Sequence, residues 1–161
     1  METAGHTMPL ILLVDDDEND TFLLKKAFER AGVNVPVRVL SDGMECMRYL
    51  SGEGPYADRE IFHLPAIVLL DLKLPVRNGF DVLRWIREQP LFGKLCVVIL
   101  TGSVHERDES LALRLGANSV LTKPLGFGNA VVLCRSIECL LLSCHPGSTR
   151  VVGRETVGVC G

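Results

Sequence analysis

The feature that most constrains this chain is a set of short runs that are apolar throughout: Leu10 to Val14, Ala66 to Leu70 and Leu95 to Leu100. They are shorter than a buried helix, and they lack the polar alternation of a half-exposed strand. Runs of this kind read as strands buried on both faces, the condition of a parallel sheet covered by helices. Ala66 to Leu70 is bounded by Pro65 and Pro75, and it ends in Asp71.

Between the runs the period changes from strand to helix. Phe22, Leu23, Ala27 and Phe28 recur at helical spacing after a cap at Asn19 or Asp20, and Gly32 closes that helix. Val35 to Leu40 is strand-like. Ser41 or Asp42 caps a helix through Leu50 that carries Met44, Met47 and Leu50 on one side, and Gly52-Glu53-Gly54-Pro55 breaks it into a loop reaching Leu64. Asn78 caps a helix with Val82, Leu83 and Ile86 inward, ending near Gln89-Pro90. Glu106 to Leu115 is amphipathic and stops at Gly116, Ser119 to Thr122 is a brief strand, and Phe127 to about Cys144 is the last helix. Five βα units imply a doubly wound α/β fold with right-handed crossovers. His145 to Gly161 has no helical period and reads as a flexible tail, with Val151-Val152 and Val157 to Val159 as an alternative edge strand.

Composition narrows the function classes. A chain of 161 residues is one domain plus an extension. The net charge of −3 and the lack of a basic run argue against nucleic acid and anionic membrane as partners. None of the six cysteines forms a C-x-x-C pair, which suits buried free thiols in a reducing cytoplasm. Met1 to Pro9 has no features of a secretory signal. Ala130 to Leu142 is short for a bilayer span and is interrupted by Arg135, Ser136 and Glu138.

A parallel sheet delivers the ends of its strands to one edge, where ligands bind in open α/β folds. Here those ends are Asp15-Asp16-Asp17-Glu18, Asp71, Thr101-Gly102-Ser103 and Thr122-Lys123-Pro124. Two carboxylates about 4 Å apart repel by about 4 kcal/mol at an effective dielectric near 20. Three in one cleft take up protons or hold a cation. The donors are all oxygen, which selects a hard ion, and few carboxylates with room for water suit Mg²⁺ better than Ca²⁺. With Lys123 as a point charge and Thr101 as a hydroxyl donor, Asp71 becomes a nucleophile for phosphoryl transfer. Each element also has a plain reading: Asp71 opening a turn, the acids a solvated loop, Thr101 a turn cap, Lys123 a surface lysine.

These residues resemble those of a known family. Over about residues 8 to 143 the chain resembles the receiver domain of bacterial two-component response regulators, leaving 144 to 161 as the tail. The resemblance rests on Ile11-Leu12-Leu13-Val14-Asp15-Asp16, Val68-Leu69-Leu70-Asp71-Leu72-Lys73-Leu74-Pro75, Asn78-Gly79-Phe80, Val98-Ile99-Leu100-Thr101-Gly102 and Leu121-Thr122-Lys123-Pro124. The separations of 30 residues from Asp71 to Thr101 and 22 from Thr101 to Lys123 also suit it. The resemblance implies a flavodoxin-like, CheY-like (βα)5 fold with strand order 2-1-3-4-5. It implies Asp71 as phospho-acceptor, Asp16 as direct Mg²⁺ ligand, Asp15 as an acidic partner acting largely through water, and the Lys73 backbone carbonyl as a further ligand. Thr101 resembles the switch hydroxyl and Lys123 the lysine that pairs with the phosphoryl group. A cis bond between Lys123 and Pro124 is expected too. The loop from Gly52 to Leu64 looks like that of stand-alone receivers paired with phytochrome-type histidine kinases.

The chain departs from the family pattern at Val120, where receivers commonly carry Tyr or Phe. Lys73 stands where its side chain can lean over the site and alter phosphate lifetime. The last helix is apolar enough to suggest a second buried face. Val120, Val132 and Leu140 are therefore expected on a partner or dimer face, with cover by the chain's own tail as the alternative. The expected partners are a sensor histidine kinase and a downstream protein target or phosphotransfer protein. Self-modification without external turnover makes this a signalling protein rather than an enzyme. Two rivals stand beside it. A haloacid dehalogenase-type phosphatase would use Asp15 as nucleophile and Asp17 as acid/base, but no acidic metal motif follows Lys123 and Asp71 is left without a role. A degenerate receiver acting only as a docking module is kept open by Val120.

Overall fold

The computed structural model describes residues 8–102 and 105–144. It contains β1 (Ile11–Val14), α1 (Glu18–Arg30), β2 (Val37–Leu40), α2 (Gly43–Ser51), a 3-10 turn (Gly54–Tyr56), β3 (Ile67–Leu70), α3 (Gly79–Glu88), β4 (Cys96–Thr101), α4 (Glu106–Arg114), β5 (Ser119–Thr122) and α5 (Phe127–Cys144). All pairings are parallel and the strand order is β2-β1-β3-β4-β5. The expected fold class and strand order are therefore what the chain adopts.

The apolar runs do what their composition requires. Every residue of β1, β3 and β4 is buried. Alternate side chains divide into two layers. Leu12, Val14, Val68, Leu70, Val97 and Ile99 meet α2, α3 and α4, while Ile11, Leu13, Ile67, Leu69, Val98 and Leu100 meet α1 and α5. A one-residue slip in any central strand would exchange the layers, so the register is held on both faces.

Capping is local and mostly as expected. Asp42 caps α2 through the Glu45 N–H, and Asn78 caps α3 through the Asp81 N–H. The first helix differs, because Asp17, not Asn19 or Asp20, is its cap, accepting from the N–H groups of both. The helix thus begins earlier, and Phe22, expected inward, is 64% exposed. On α2 the fully buried side chains are Cys46, Tyr49 and Leu50, with Met47 only partly buried.

The Gly52–Leu64 loop is built rather than loose. Tyr49, Tyr56 and Phe62 pack as a three-ring cluster with centroids 5.0–6.1 Å apart. The Arg59 guanidinium donates to the carbonyls of Tyr49 (2.8 Å), Phe62 (2.8 Å) and Leu50. The Tyr49 hydroxyl donates to the His63 carbonyl at 2.9 Å, and the Tyr56 hydroxyl to Glu45 Oε1 at 2.5 Å.

The last helix buries one stripe, Ala130, Cys134, Ile137 and Leu141, and packs along α1. Val132 is 62% exposed, whereas Leu140 and Val120 are partly buried against the core, so only part of the expected face is open. At 18 residues, α5 is long and apolar enough by length and composition to cross a bilayer, more than the shorter stretch read from sequence. Its buried stripe packs against α1 and the sheet, and 22% of that 18-residue stretch is buried. Cys46, Cys96, Cys134 and Cys144 are free thiols. Cys139 is disulfide-bonded, against the expectation of free thiols alone. Apart from Cys144, which closes α5, the expected tail lies outside the described residues.

Candidate phosphoryl-acceptor site

The parallel register assembles the site. Val14 pairs with Leu70, so Asp15 and Asp71 leave adjacent strands side by side, and the Asp71 N–H donates to the Val14 carbonyl at 3.0 Å. Thr101 pairs with Thr122, and the next N–H, that of Lys123, donates to the Thr101 carbonyl at 2.7 Å. Asp15, Asp71 and Thr101 are buried at 2%, 6% and 2% exposure, respectively, while Asp16 is exposed. All five residues expected at this edge are brought together there.

Glycine sets the floor. Gly79 opens α3 against the backbone behind the acceptor, its N–H donating to the Leu72 carbonyl at 2.9 Å. A Cβ at this position would collide with the Asp71 carbonyl and lie 2.8 Å from Leu72 Cα. Only glycine permits that approach. Asp71 Oδ1 accepts the Lys73 N–H at 3.2 Å, the local bond that the turn reading foresaw, and the Lys73 residue itself is exposed.

Lys123 is the electrostatic centre. Its Nζ lies 2.7 Å from Asp15 Oδ2, 2.8 Å from Asp71 Oδ2 and 2.9 Å from Asp20 Oδ2. The contacts with Asp71 and Asp20 are aligned hydrogen bonds. Asp15 Oδ2 has the charge beside it but no aligned hydrogen bond, and it is buried. Burial alone would lower the Lys123 ammonium. The carboxylates of Asp15, Asp71 and Asp20 held against it outweigh that and keep it above the ordinary lysine range. Burial pushes the Asp15 carboxyl up, Asp71 adds to the rise, and Lys123 and the Asp17 N–H oppose it.

One ammonium among these carboxylates leaves the cleft short of positive charge. Oxygens of Asp15, Asp16 and Asp71 lie within 4.8 Å of one another. With Asp15 Oδ2 buried and without an aligned hydrogen bond, this donor set fits a hard divalent cation.

Asp20 was not foreseen as a site residue. It was read as a cap candidate, and nothing local distinguishes a capping acid from one aimed across the cleft. The expected cis bond is corrected: the described residues contain no cis peptide, so Lys123–Pro124 is trans. Proline narrows the gap between isomers, but trans remains the lower by about 0.5–1 kcal/mol.

Comparison with known proteins agrees with this geometry. The family model of the response regulator receiver domain matches residues 11–133. The chain belongs to the response regulator receiver family. It is 31% identical to the response regulator Rcp1 of Synechocystis over 142 residues, covering 88% of this chain and 95% of that one. The crystal structure of the phosphorylated cyanobacterial phytochrome response regulator RcpA is similar at a TM-score of 0.77 and 34% identity, covering 85% of this chain and 96% of that one. The Mn²⁺-bound form of Rcp1 is similar at a TM-score of 0.73 and 31% identity, covering 83% and 94%. As a receiver domain, the chain takes part in two-component signalling through aspartate phosphorylation, and the phosphatase and docking-module readings are not favoured.

Proposed function

We propose that Asp71 accepts the phosphoryl group of a phosphohistidine on a partner sensor histidine kinase, of the phytochrome type that RcpA and its like suggest. The observation that carries this is Asp71 itself: a buried carboxylate at a strand end, held by the Lys73 N–H and the Lys123 ammonium. An Asp71 oxygen attacks phosphorus, the P–N bond to the histidine breaks, and the imidazole leaves with that electron pair. Lys123 and the Thr101 hydroxyl face the charge that arrives, about −1.5 to −2 if it resembles other phosphorylated side chains. Asp15, Asp16, Asp71 and the Lys73 carbonyl would hold Mg²⁺. When bound, that ion neutralises phosphoryl oxygens.

In this reading the protein modifies itself, turns over no external substrate, and works in the cytoplasm with no nucleic acid or membrane partner. It signals to a protein target or phosphotransfer protein. Contact through the exposed part of α5, around Val132, would allow a homodimer. Residues 8–143 act as the receiver unit.

Acetyl phosphate with Mg²⁺ tests the reading by intact mass and then by peptide mapping. The expected result is one phosphoryl group on Asp71, absent without the metal ion. Steady release of phosphate with no labelled intermediate would overturn it.

A further inference from the structure

Asp20 stands outside the expected set, yet it makes one of the two aligned hydrogen bonds to Lys123. The two residues are 103 positions apart and meet only through the fold. Asp20 is relieved of capping, because Asp17 performs that task and accepts the Asp20 N–H. Its carboxylate is 37% exposed, against 14% for the Lys123 side chain it holds.

The three carboxylates around Lys123 differ in what phosphorylation does to them. An ammonium has three donors. Once Asp71 carries a phosphoryl group, its carboxylate becomes an acyl oxygen and a neutral carbonyl, a poorer acceptor for a cation. Asp15 has no aligned bond to Lys123 and belongs to the cation-binding set. Asp20 is in neither group. Its bond to Lys123 is therefore the one that persists while the other two partners change.

We propose that Asp20 is a positioning residue for phosphoryl uptake, a tether that keeps the Lys123 ammonium aimed into the cleft while Asp71 is modified. This rests on the reading of Asp71 as acceptor. With acetyl phosphate the step balances: an Asp71 oxygen forms a bond to phosphorus, the bond from phosphorus to the acetate oxygen breaks, and acetate leaves as the anion without a proton. Lys123 remains protonated throughout, and Asp20 touches no reacting atom.

The test compares wild type with Asp20→Ala and Asp20→Asn at saturating Mg²⁺, with acetyl phosphate as donor. In Asp20→Ala the maximal labelling rate falls about tenfold with KM unchanged, the loss expected of a charge-assisted bond. Asp20→Asn keeps an oxygen acceptor and recovers to within about threefold of wild type. In metal-free protein, nitrogen-15 NMR shows the Lys123 ammonium protons exchanging faster in Asp20→Ala than in wild type. Labelling of Asp20→Ala at the wild-type rate or faster, or unchanged ammonium exchange, overturns the tether while leaving Asp71 as acceptor. Failure of wild type itself to label at Asp71 overturns the acceptor reading and the tether with it.

Discussion

Two polar regions of this molecule are built on opposite principles. In the loop clamp, every polar group on which the packing depends is matched: Arg59 serves three carbonyls, and the Tyr49 and Tyr56 hydroxyls each have an acceptor. At the carboxyl edge of the sheet, Asp15, Asp20 and Asp71 share one ammonium, and Asp15 Oδ2 is left buried without an aligned bond. Satisfied networks rigidify, whereas buried acceptors that must share one donor are costly unless a ligand completes them. The clamp is finished by the chain alone. The site is finished by what arrives.

The sharpest way to break that contrast is Asp71→Asn. Phosphoryl labelling by acetyl phosphate should vanish while the urea midpoint stays at or above that of wild type, because a buried charge has been removed from a crowded cleft. A large fall in the midpoint would mean that the site, like the clamp, serves stability.

The reverse substitution is Arg59→Ala. Three carbonyls lose their donor, and stability should fall by about 3 kcal/mol in urea unfolding, with Asp71 labelling retained. Gly79→Ala falls between the two regions. The added methyl strikes the backbone behind Asp71, so a loss of about 1–3 kcal/mol should come with slower labelling. If only stability changes, the glycine packs the helix without shaping the acceptor.

The smallest effect belongs to Tyr56→Phe, about 1 kcal/mol for one hydrogen bond. It carries a pH signature. Burial, then the hydrogen bond and charge of Glu45, push the Tyr56 phenol up to about 12. A raised pKa means that the folded state favours the protonated phenol. Its contribution is full below the ordinary tyrosine value of about 10 and is lost as pH rises towards 12. Stability curves of wild type and Tyr56→Phe measured from pH 9 to 12 should therefore converge.

The site was more legible in the sequence than the clamp, for a physical reason. Asp15, Asp16, Asp71, Thr101 and Lys123 each follow a strand run, and parallel topology carries strand ends to a common edge whatever lies between them. The clamp depends on rings at positions 49, 56 and 62 finding one another across a turn. No period marks such contacts, so the segment read as a break in structure. Asp20 was misassigned because a cap placed two or three residues late left it a terminal role, whereas Phe22 shares the helical spacing but lies off the buried stripe of Thr21, Leu24, Ala27 and Phe28. The cis bond failed because proline lowers a preference without reversing it.

The bond from the Lys123 N–H to the Thr101 carbonyl has a mechanical consequence. It fixes the backbones of the hydroxyl and the lysine to each other across neighbouring strands. Neither main chain can approach a new group on Asp71 without dragging the other. A group arriving on Asp71 therefore meets the hydroxyl and the lysine as one unit, and a main-chain shift at either reaches β5 through the other.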